Sequence, residues 1–80
     1  MNRDEILKEL GIIFCDIFDD DEIVINLEMT AKDIEDWDSL NHINIIVASE
    51  KKFGVKFTTK EIRQVANVGE YVELIHNRLD

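Results

Sequence analysis

Apolar side chains recur at helical spacing through the first part of the chain. Over residues 3–18 they stand at positions i, i+1, i+4, i+7, i+8, i+11 and i+12, which places them on one broad helix face. The set is Ile6, Leu7, Leu10, Ile13, Phe14, Ile17 and Phe18. Asn2, followed three residues later by Glu5, is typical of a capping box at a helix start. The pattern predicts a first helix over 3–18, ended by the acidic run 19–22.

The same spacing returns over residues 39–53 and predicts a second helix. Gly54 is placed to end this helix in the left-handed conformation, where a side chain would be strained. Lys51 and Lys52 in the last turn suit the negative end of the helix dipole. The apolar face predicted to turn toward the core is formed by Leu40, Ile43, Ile46, Val47 and Phe53, broadened by Ile45 and Ala48.

Two further helices are predicted in the last third of the chain. Thr58 with Glu61 is a capping-box pair that opens a brief third helix near 59–65. Asn67 with Glu70 opens the last helix in the same way. The apolar positions that these two helices turn inward are Ile62, Val65, Val68, Val72, Ile75 and Leu79.

Residues 19–38 form a connection longer than a helical bundle normally spends on a loop, which indicates function or partial structure. Thr30 can cap a short turn over 31–35, with Ile34 turned inward. The segment 23–25 fits either a loop or a short extended stretch. The side chains that can pin the connection to the core are Ile23, Val24, Ile25 and Leu27. Together these elements predict one all-α domain over residues 1–80, a small four-helix bundle with three longer helices and one short helix.

Charge narrows the kinds of partner that this chain can have. Its net charge is −9, and nucleic acid is excluded as a partner because binding it requires clustered Lys and Arg. Residues 1–38 carry 13 acids and 3 bases, whereas residues 39–80 carry 5 acids and 6 bases. The boundary between the acidic and the near-neutral part falls at Ser39. An acidic half of this kind can steer basic partners to that position.

Cysteine usage and hydropathy indicate the compartment. The single cysteine, Cys15, cannot form an internal disulfide, which fits a reducing environment. It lies within the apolar pattern of the first helix and is interpreted as a structural thiol. We expect no signal peptide and no membrane span, because no apolar run approaches the required length. These features favour a cytoplasmic protein, and we expect a monomer.

Two kinds of reactive site are excluded by residue spacing. In a calcium loop counted from Asp19, Ile23 and Thr30 fall where an oxygen ligand and a glutamate are needed, so no metal site is expected. Ser39 and His42 lie three residues apart, as a nucleophile and its base can. However, no nucleophile-elbow glycine pattern surrounds the serine, and a small helical domain offers little space from which to exclude water. We therefore expect that the chain is not an enzyme.

Ser39 is the residue with the most distinctive position. It follows Asp36, Trp37 and Asp38 and stands at the predicted start of the second helix. A phosphate-linked group attached there would meet backbone N–H groups and the positive end of the helix dipole. The ordinary alternative is that Asp38 or Ser39 serves only as the helix N-cap. Trp37 is interpreted as a core plug or as part of a groove for an apolar cargo.

Four motifs stand in an order that resembles the acyl carrier proteins over essentially the whole chain. They are Asp38-Ser39-Leu40, Phe53-Gly54-Val55, the short 59–65 element and the run 68–72. The resemblance implies that a phosphopantetheinyl transferase moves 4′-phosphopantetheine from coenzyme A to Ser39. Acyl groups would then be held as thioesters on the terminal thiol. The implied partners are acyl-loading, ketosynthase-type or acyltransferase enzymes of fatty acid, polyketide or related lipid biosynthesis.

The resemblance and the apolar pattern together give two sets of candidate site residues. Those that the transferase or the partner enzymes would recognise are Asp36, Asp38, Leu40, Asn41, Asn44 and Glu50. Those predicted to line a pocket for the acyl chain are Leu40, Ile43, Val47, Ile62, Val68 and Tyr71.

The second helix departs from the pattern of the fatty-acid-synthesis members of this family. Asn41 and Asn44 stand where acids are usual, and Lys51 and Lys52 replace acids near the helix end, so that only Glu50 remains. This difference favours a specialised carrier with its own partners. Two alternatives stay open at this point: a carrier of aminoacyl or peptidyl groups, and an acidic helical adaptor that never receives the arm.

Overall fold

A computed structural model describes residues 2–33 and 38–79, without the side chains of Ala31 and Ser39. The four α-helices are α1 (Arg3–Phe18), α2 (Ser39–Phe53), α3 (Thr59–Gln64) and α4 (Val68–Leu79). A 3-10 turn over Ala31–Asp33 lies in the connection between α1 and α2. The predicted all-α bundle with three longer helices and one short helix is confirmed.

Two helices begin with complete capping boxes, as their sequences predict. At α1, the Glu5 N–H donates to Asn2 Oδ1 at 2.8 Å, and the Asn2 N–H donates to Glu5 Oε1 at 3.2 Å. At α3, the Glu61 N–H donates to Thr58 Oγ1 at 3.2 Å, and the Thr58 N–H donates to Glu61 Oε1 at 3.0 Å. Each box satisfies backbone donors that have no partner inside the helix.

The core is built from α1, α2, α4 and one residue of the long connection. α1 packs against both α2 and α4. Ser49 is buried among apolar side chains, and its hydroxyl donates to the Ile45 carbonyl oxygen at 2.6 Å. The buried apolar side chains are Ile6, Leu10, Ile13, Phe14, Ile25, Ile45, Ile46, Phe53, Val68, Tyr71, Val72 and Ile75.

The buried face of α2 differs from the sequence-based expectation. Leu40, Ile43 and Val47, predicted to face the core, are exposed to 67%, 58% and 44%. Ile46 and Phe53 are buried as predicted, and Ile45 is buried with them. Apolar residues occupy more than one side of this helix, so periodicity alone does not decide which side turns inward. The packing of α1 against α2 decides it.

The long connection is held by fewer side chains than predicted. Ile25 is buried and Ile23 is half-buried, but Val24 and Leu27 are exposed. No helix or strand forms over 23–27. Burial alternates from Ile23 to Ile25 because neighbouring side chains point to opposite sides of the chain. The connection therefore depends on backbone contacts as well.

Those backbone contacts lie at the N-terminus of α4. The Val68 N–H donates to the Met29 carbonyl oxygen at 2.9 Å, and the Gly69 N–H donates to the Leu27 carbonyl oxygen at 2.8 Å. A Cβ at Gly69 would lie 2.9 Å from that same Leu27 oxygen, so this close approach requires glycine. Asn67 caps the helix through its side-chain oxygen.

The turn before α2 begins where the sequence predicts. Thr30 Oγ1 accepts a hydrogen bond from the Lys32 N–H at 3.2 Å, and Asp33 Oδ2 accepts one from the Thr30 N–H at 2.9 Å. The predicted end of the turn, with Ile34 turned inward, lies outside the described residues, as does Trp37.

Candidate functional site

The start of α2 is capped by Asp38. Its Oδ1 accepts a hydrogen bond from the Asn41 N–H at 2.8 Å, and its carbonyl oxygen accepts one from the His42 N–H at 2.9 Å. Ser39 is the first residue inside the helix. Of the two cap residues that the sequence allowed, the structure selects Asp38. The helix start therefore has its cap without the Ser39 hydroxyl.

An exposed apolar stripe runs along α2 from this point. Leu40, Ile43 and Val47 form it, at positions i, i+3 and i+7 on one side of the helix. At ~1.5 Å per residue the stripe is about 10 Å long. Asp38 before it and Asn44 beside it are exposed as well. This surface is open to a macromolecular partner immediately next to Ser39.

The polar residues of α2 divide between structural and surface positions. Glu50, the one acid in this helix, is half-buried and accepts a hydrogen bond from the Phe57 N–H at 2.9 Å. This hydrogen bond holds the short segment between α2 and α3 against α2. Lys51 and Lys52 are both exposed, and Lys52 pairs with Glu9 of α1 at 2.7 Å.

A cavity of about 70 Å³ lies on the other side of α2. His42 and Ile46 line it, and these residues stand three and seven positions after Ser39, on the same side of the helix. The full lining consists of Phe14, His42, Ile45, Ile46, Val65, Ala66, Asn67, Val68 and Tyr71. The cavity therefore lies beside the part of α2 that follows Ser39.

The cavity contains only part of the predicted acyl-pocket set. Val68 and Tyr71 line it. Ile62 is half-buried and packs against the core without lining the cavity. The remaining three candidates, Leu40, Ile43 and Val47, are the exposed stripe, because α2 is rotated relative to the predicted orientation.

The sequence-based set also missed polar residues of the cavity wall. His42 and Asn67 were not chosen because the selection followed apolar periodicity. The spacing of three between Ser39 and His42 was the available signal for His42. The signal for Asn67 was its predicted place as the cap at the start of α4, which lies beside the cavity.

Burial changes the ionisation of two groups at the cavity. It lowers the pKa of His42 below its usual range, which favours the neutral imidazole. It raises the pKa of Tyr71 well above its usual range; the nearby Glu50 charge adds to the rise, and Ser49 opposes it.

Some predicted residues and sites fall outside what the structure describes. Asp36 and the side chain of Ser39 lie outside the part of the chain that the structure describes. Within the described residues, no group of three or more His, Cys, Asp or Glu side chains could hold a metal ion. None of the described helices has the length and apolar character needed to cross a membrane.

Comparison with known proteins identifies relatives along nearly the full chain. An acyl carrier protein from Acidothermus cellulolyticus is 31% identical over 77 residues, which cover 96% of this chain and 92% of that protein. One from Thermosynechococcus vestitus is 31% identical over 80 residues, which cover 99% of this chain and 98% of that protein. No protein-family model matches the chain.

A solved structure gives the same result for the fold. The solution structure of a holo acyl carrier protein from Geobacter metallireducens superposes with a TM-score of 0.86 and 42% sequence identity. The match covers 91% of this chain and 84% of that one. The chain belongs to the acyl carrier protein family, whose members are carriers rather than enzymes and use 4′-phosphopantetheine as their prosthetic group.

Proposed function

We propose that this chain carries acyl groups as thioesters on a 4′-phosphopantetheine arm attached to the Ser39 hydroxyl, and delivers them to acyl-handling enzymes. The observation that carries the proposal is the position of Ser39 as the first residue of α2, directly after a helix cap supplied by Asp38. The serine is thus available for modification without loss of the cap.

The start of α2 fits a phosphodiester. Backbone N–H groups of a first helical turn and the positive end of the dipole both favour a negative group. Asp38 and Leu40, on either side of Ser39, are exposed, so a modifying enzyme can approach this part of the chain. In the loading step, the Ser39 oxygen forms a bond to phosphorus, the pyrophosphate bond of coenzyme A breaks, and adenosine 3′,5′-bisphosphate leaves. When bound, the arm supplies the thiol that holds the acyl group.

The apolar stripe of Leu40, Ile43 and Val47 is the surface that we assign to the transferase and to the acyl-loading, ketosynthase-type or acyltransferase partners. Its polar neighbours Asn41 and Asn44 are uncharged. Contact on this surface therefore depends more on apolar burial than on charge attraction. That balance supports a specialised carrier, which we place in the reducing cytoplasm as a monomer.

The test is an intact-mass measurement after incubation with coenzyme A and a broad-specificity phosphopantetheinyl transferase. Ser39 and Ser49 are the only serines of the chain, which offers a matched pair of variants. The native chain and Ser49→Ala are expected to gain one phosphopantetheine, and Ser39→Ala is expected to gain none. A folded native chain that gains no mass, or a gain on Ser39→Ala, would contradict the proposal.

A further inference from the structure

A wide groove lies between α1 and the long connection, away from the start of α2. It is lined by side chains from residues 4–16 of α1 and 21–25 of the connection, and its volume is about 610 Å³. None of its lining residues belongs to α2, and none is shared with the cavity beside that helix. We call this recess the α1 groove.

The middle of the α1 groove is apolar. Gly11 leaves space there, since a Cβ at this position would have Ile25 Cγ1 as its nearest neighbour, at 3.8 Å. Ile12 on the α1 side and Val24 on the connection side line the groove and are exposed to 47% and 82%. A groove this open cannot enclose a small molecule, whose pocket normally buries most of its surface. The uncovered apolar area instead suits a protein segment.

Carboxylates border this apolar area. Asp4, Asp16 and Asp21 line the groove and are exposed, and the one ammonium group among the described lining residues is that of Lys8. The three carboxylates form no ion pair with any other described residue, whereas Glu9 on the same helix pairs with a lysine of α2. The groove therefore offers negative charge that a basic partner can neutralise.

The length of the groove indicates the shape of its occupant. Asp4 and Asp16 are twelve positions apart on α1, about 18 Å at ~1.5 Å per residue. A second α-helix of about 12–14 residues packed along α1 would span this distance. Its apolar stripe would cover Ile12 and Val24, and Lys or Arg beside the stripe would meet the carboxylates. An acidic segment or an anionic membrane surface would be repelled by the same charges.

We propose that the α1 groove is a docking site for a basic amphipathic helix of a partner protein. This site is separate from the exposed apolar stripe of α2, which we assign to the transferase and the acyl-handling enzymes. Docking in the groove requires no arm on Ser39, so the proposal does not rest on the loading of that residue. It would tether the carrier to its partner through a second surface and so raise the local concentration of each around the other.

The test uses the unloaded native chain and synthetic helical peptides of about 14 residues that share one Leu face. The other face carries Lys in the first peptide, Gln in the second and Glu in the third. Titration followed by ¹⁵N–¹H spectra should show binding of the Lys peptide, about tenfold weaker binding of the Gln peptide and none of the Glu peptide. The resonances that move should be centred on Gly11, Ile12 and Val24. No binding of the Lys peptide, equal binding of the Gln peptide, or shifts centred on α2 would overturn the proposal.

Two exposed isoleucines provide matched variants that separate the groove from the α2 stripe. Ile12→Ser removes apolar area from the groove and should weaken binding of the Lys peptide about tenfold. Ile43→Ser removes it from the stripe and should leave that affinity unchanged. Phosphopantetheine transfer should show the reverse order, with Ile12→Ser as fast as the native chain. Unchanged peptide affinity in Ile12→Ser, or a loss in Ile43→Ser, would overturn the proposal, whereas a chain that binds the peptide but gains no arm would contradict only the proposed function.

A pair of charge variants tests the carboxylates and keeps the proposal falsifiable if Ile12→Ser does not fold. Asp16→Asn removes one carboxylate of the groove with little change of shape, and should weaken the Lys peptide about two- to fivefold while leaving the Gln peptide unaffected. Glu28→Gln, at an exposed acid of the connection that does not line the groove, should leave both affinities unchanged. Equal losses in the two variants would show general attraction to an acidic chain and would overturn the site.

Discussion

The two sides of α2 are both apolar, yet they have opposite roles. Ile45 and Ile46 are buried on the inner side, where the helix meets α1 and borders the cavity. Ile43 and Val47 lie on the outer side and remain exposed. The inner side holds the fold together, whereas the outer side leaves apolar area uncovered next to Ser39. The difference shows that an apolar residue on this helix can be buried or exposed, and only the orientation of the helix decides which.

The largest expected effect compares two isoleucines of α2 that lie two positions apart. Ile45→Ala should lower the free energy of unfolding by about 2–5 kcal/mol, because it leaves a cavity in the core. Ile43→Ala should change it by less than about 0.5 kcal/mol, because the side chain is already exposed. Urea unfolding of both variants measures this. Similar losses for the two would remove the distinction between the sides.

The next effect concerns the contact between the long connection and the start of α4. Gly69→Ala should destabilise the fold by about 1–3 kcal/mol, since the new Cβ meets the Leu27 carbonyl oxygen. Gly11→Ala is the matched control within α1, where the nearest atom lies at 3.8 Å. That change should stabilise the helix by about 0.5–1 kcal/mol. Thermal unfolding should give shifts of opposite sign, and shifts of the same sign would contradict the anchoring of the connection.

The outer side should matter for loading rather than for stability. Ile43→Ser removes apolar area from the exposed stripe and is expected to slow phosphopantetheine transfer about tenfold, equivalent to a loss of about 1.4 kcal/mol of contact energy. Val24→Ser, at a still more exposed apolar position on the long connection, serves as the control. Initial rates of mass gain give the comparison, and equal rates for Ile43→Ser and the native chain would remove the stripe from the docking surface.

The smallest effect is the pH dependence contributed by His42. Burial lowers its pKa in the folded chain, so the unfolded chain binds a proton more readily. Stability from the neutral imidazole is present above the ordinary pKa of about 6.5 and is lost as the pH falls below it. The melting temperature of His42→Gln should therefore fall less than that of the native chain between pH 7.5 and 5.5.

Carboxylates do not disturb this comparison. A hydrogen bond from the Thr58 backbone lowers the pKa of Glu61, and the Arg3 side chain lowers that of Glu73. Both groups are the same in the native chain and in the variant, so their effects cancel in the difference. If the melting temperature of His42→Gln falls more than that of the native chain between pH 7.5 and 5.5, the imidazole does not favour its neutral form in the fold.

Features that depend on neighbouring residues could be predicted from the sequence. The pairs Asn2 with Glu5 and Thr58 with Glu61 identify helix starts because the hydrogen bonds span only three residues. The left-handed residue at Gly54 follows in the same way from local conformation. These features need no knowledge of the rest of the fold, and the structure confirms them.

Features that depend on packing between helices could not be predicted in the same way. The orientation of α2 is decided by its packing against α1, which periodicity within 39–53 does not include. Ser49 was not expected in the core because it is polar, but the carbonyl oxygen of Ile45, four residues earlier, satisfies its hydroxyl. His42 was missed as a cavity residue for a related reason: the predicted pocket was chosen by apolar periodicity, which leaves polar side chains out.

Site-resolved mass spectrometry of the loaded chain tests the central claim most directly. Cleavage after Lys32 and Lys51 releases residues 33–51, which contain both serines of the chain, and fragmentation of this peptide distinguishes Ser39 from Ser49. We expect one phosphopantetheine on Ser39, at the capped start of α2. An unmodified peptide from folded, transferase-treated protein, or an arm on Ser49, would contradict it.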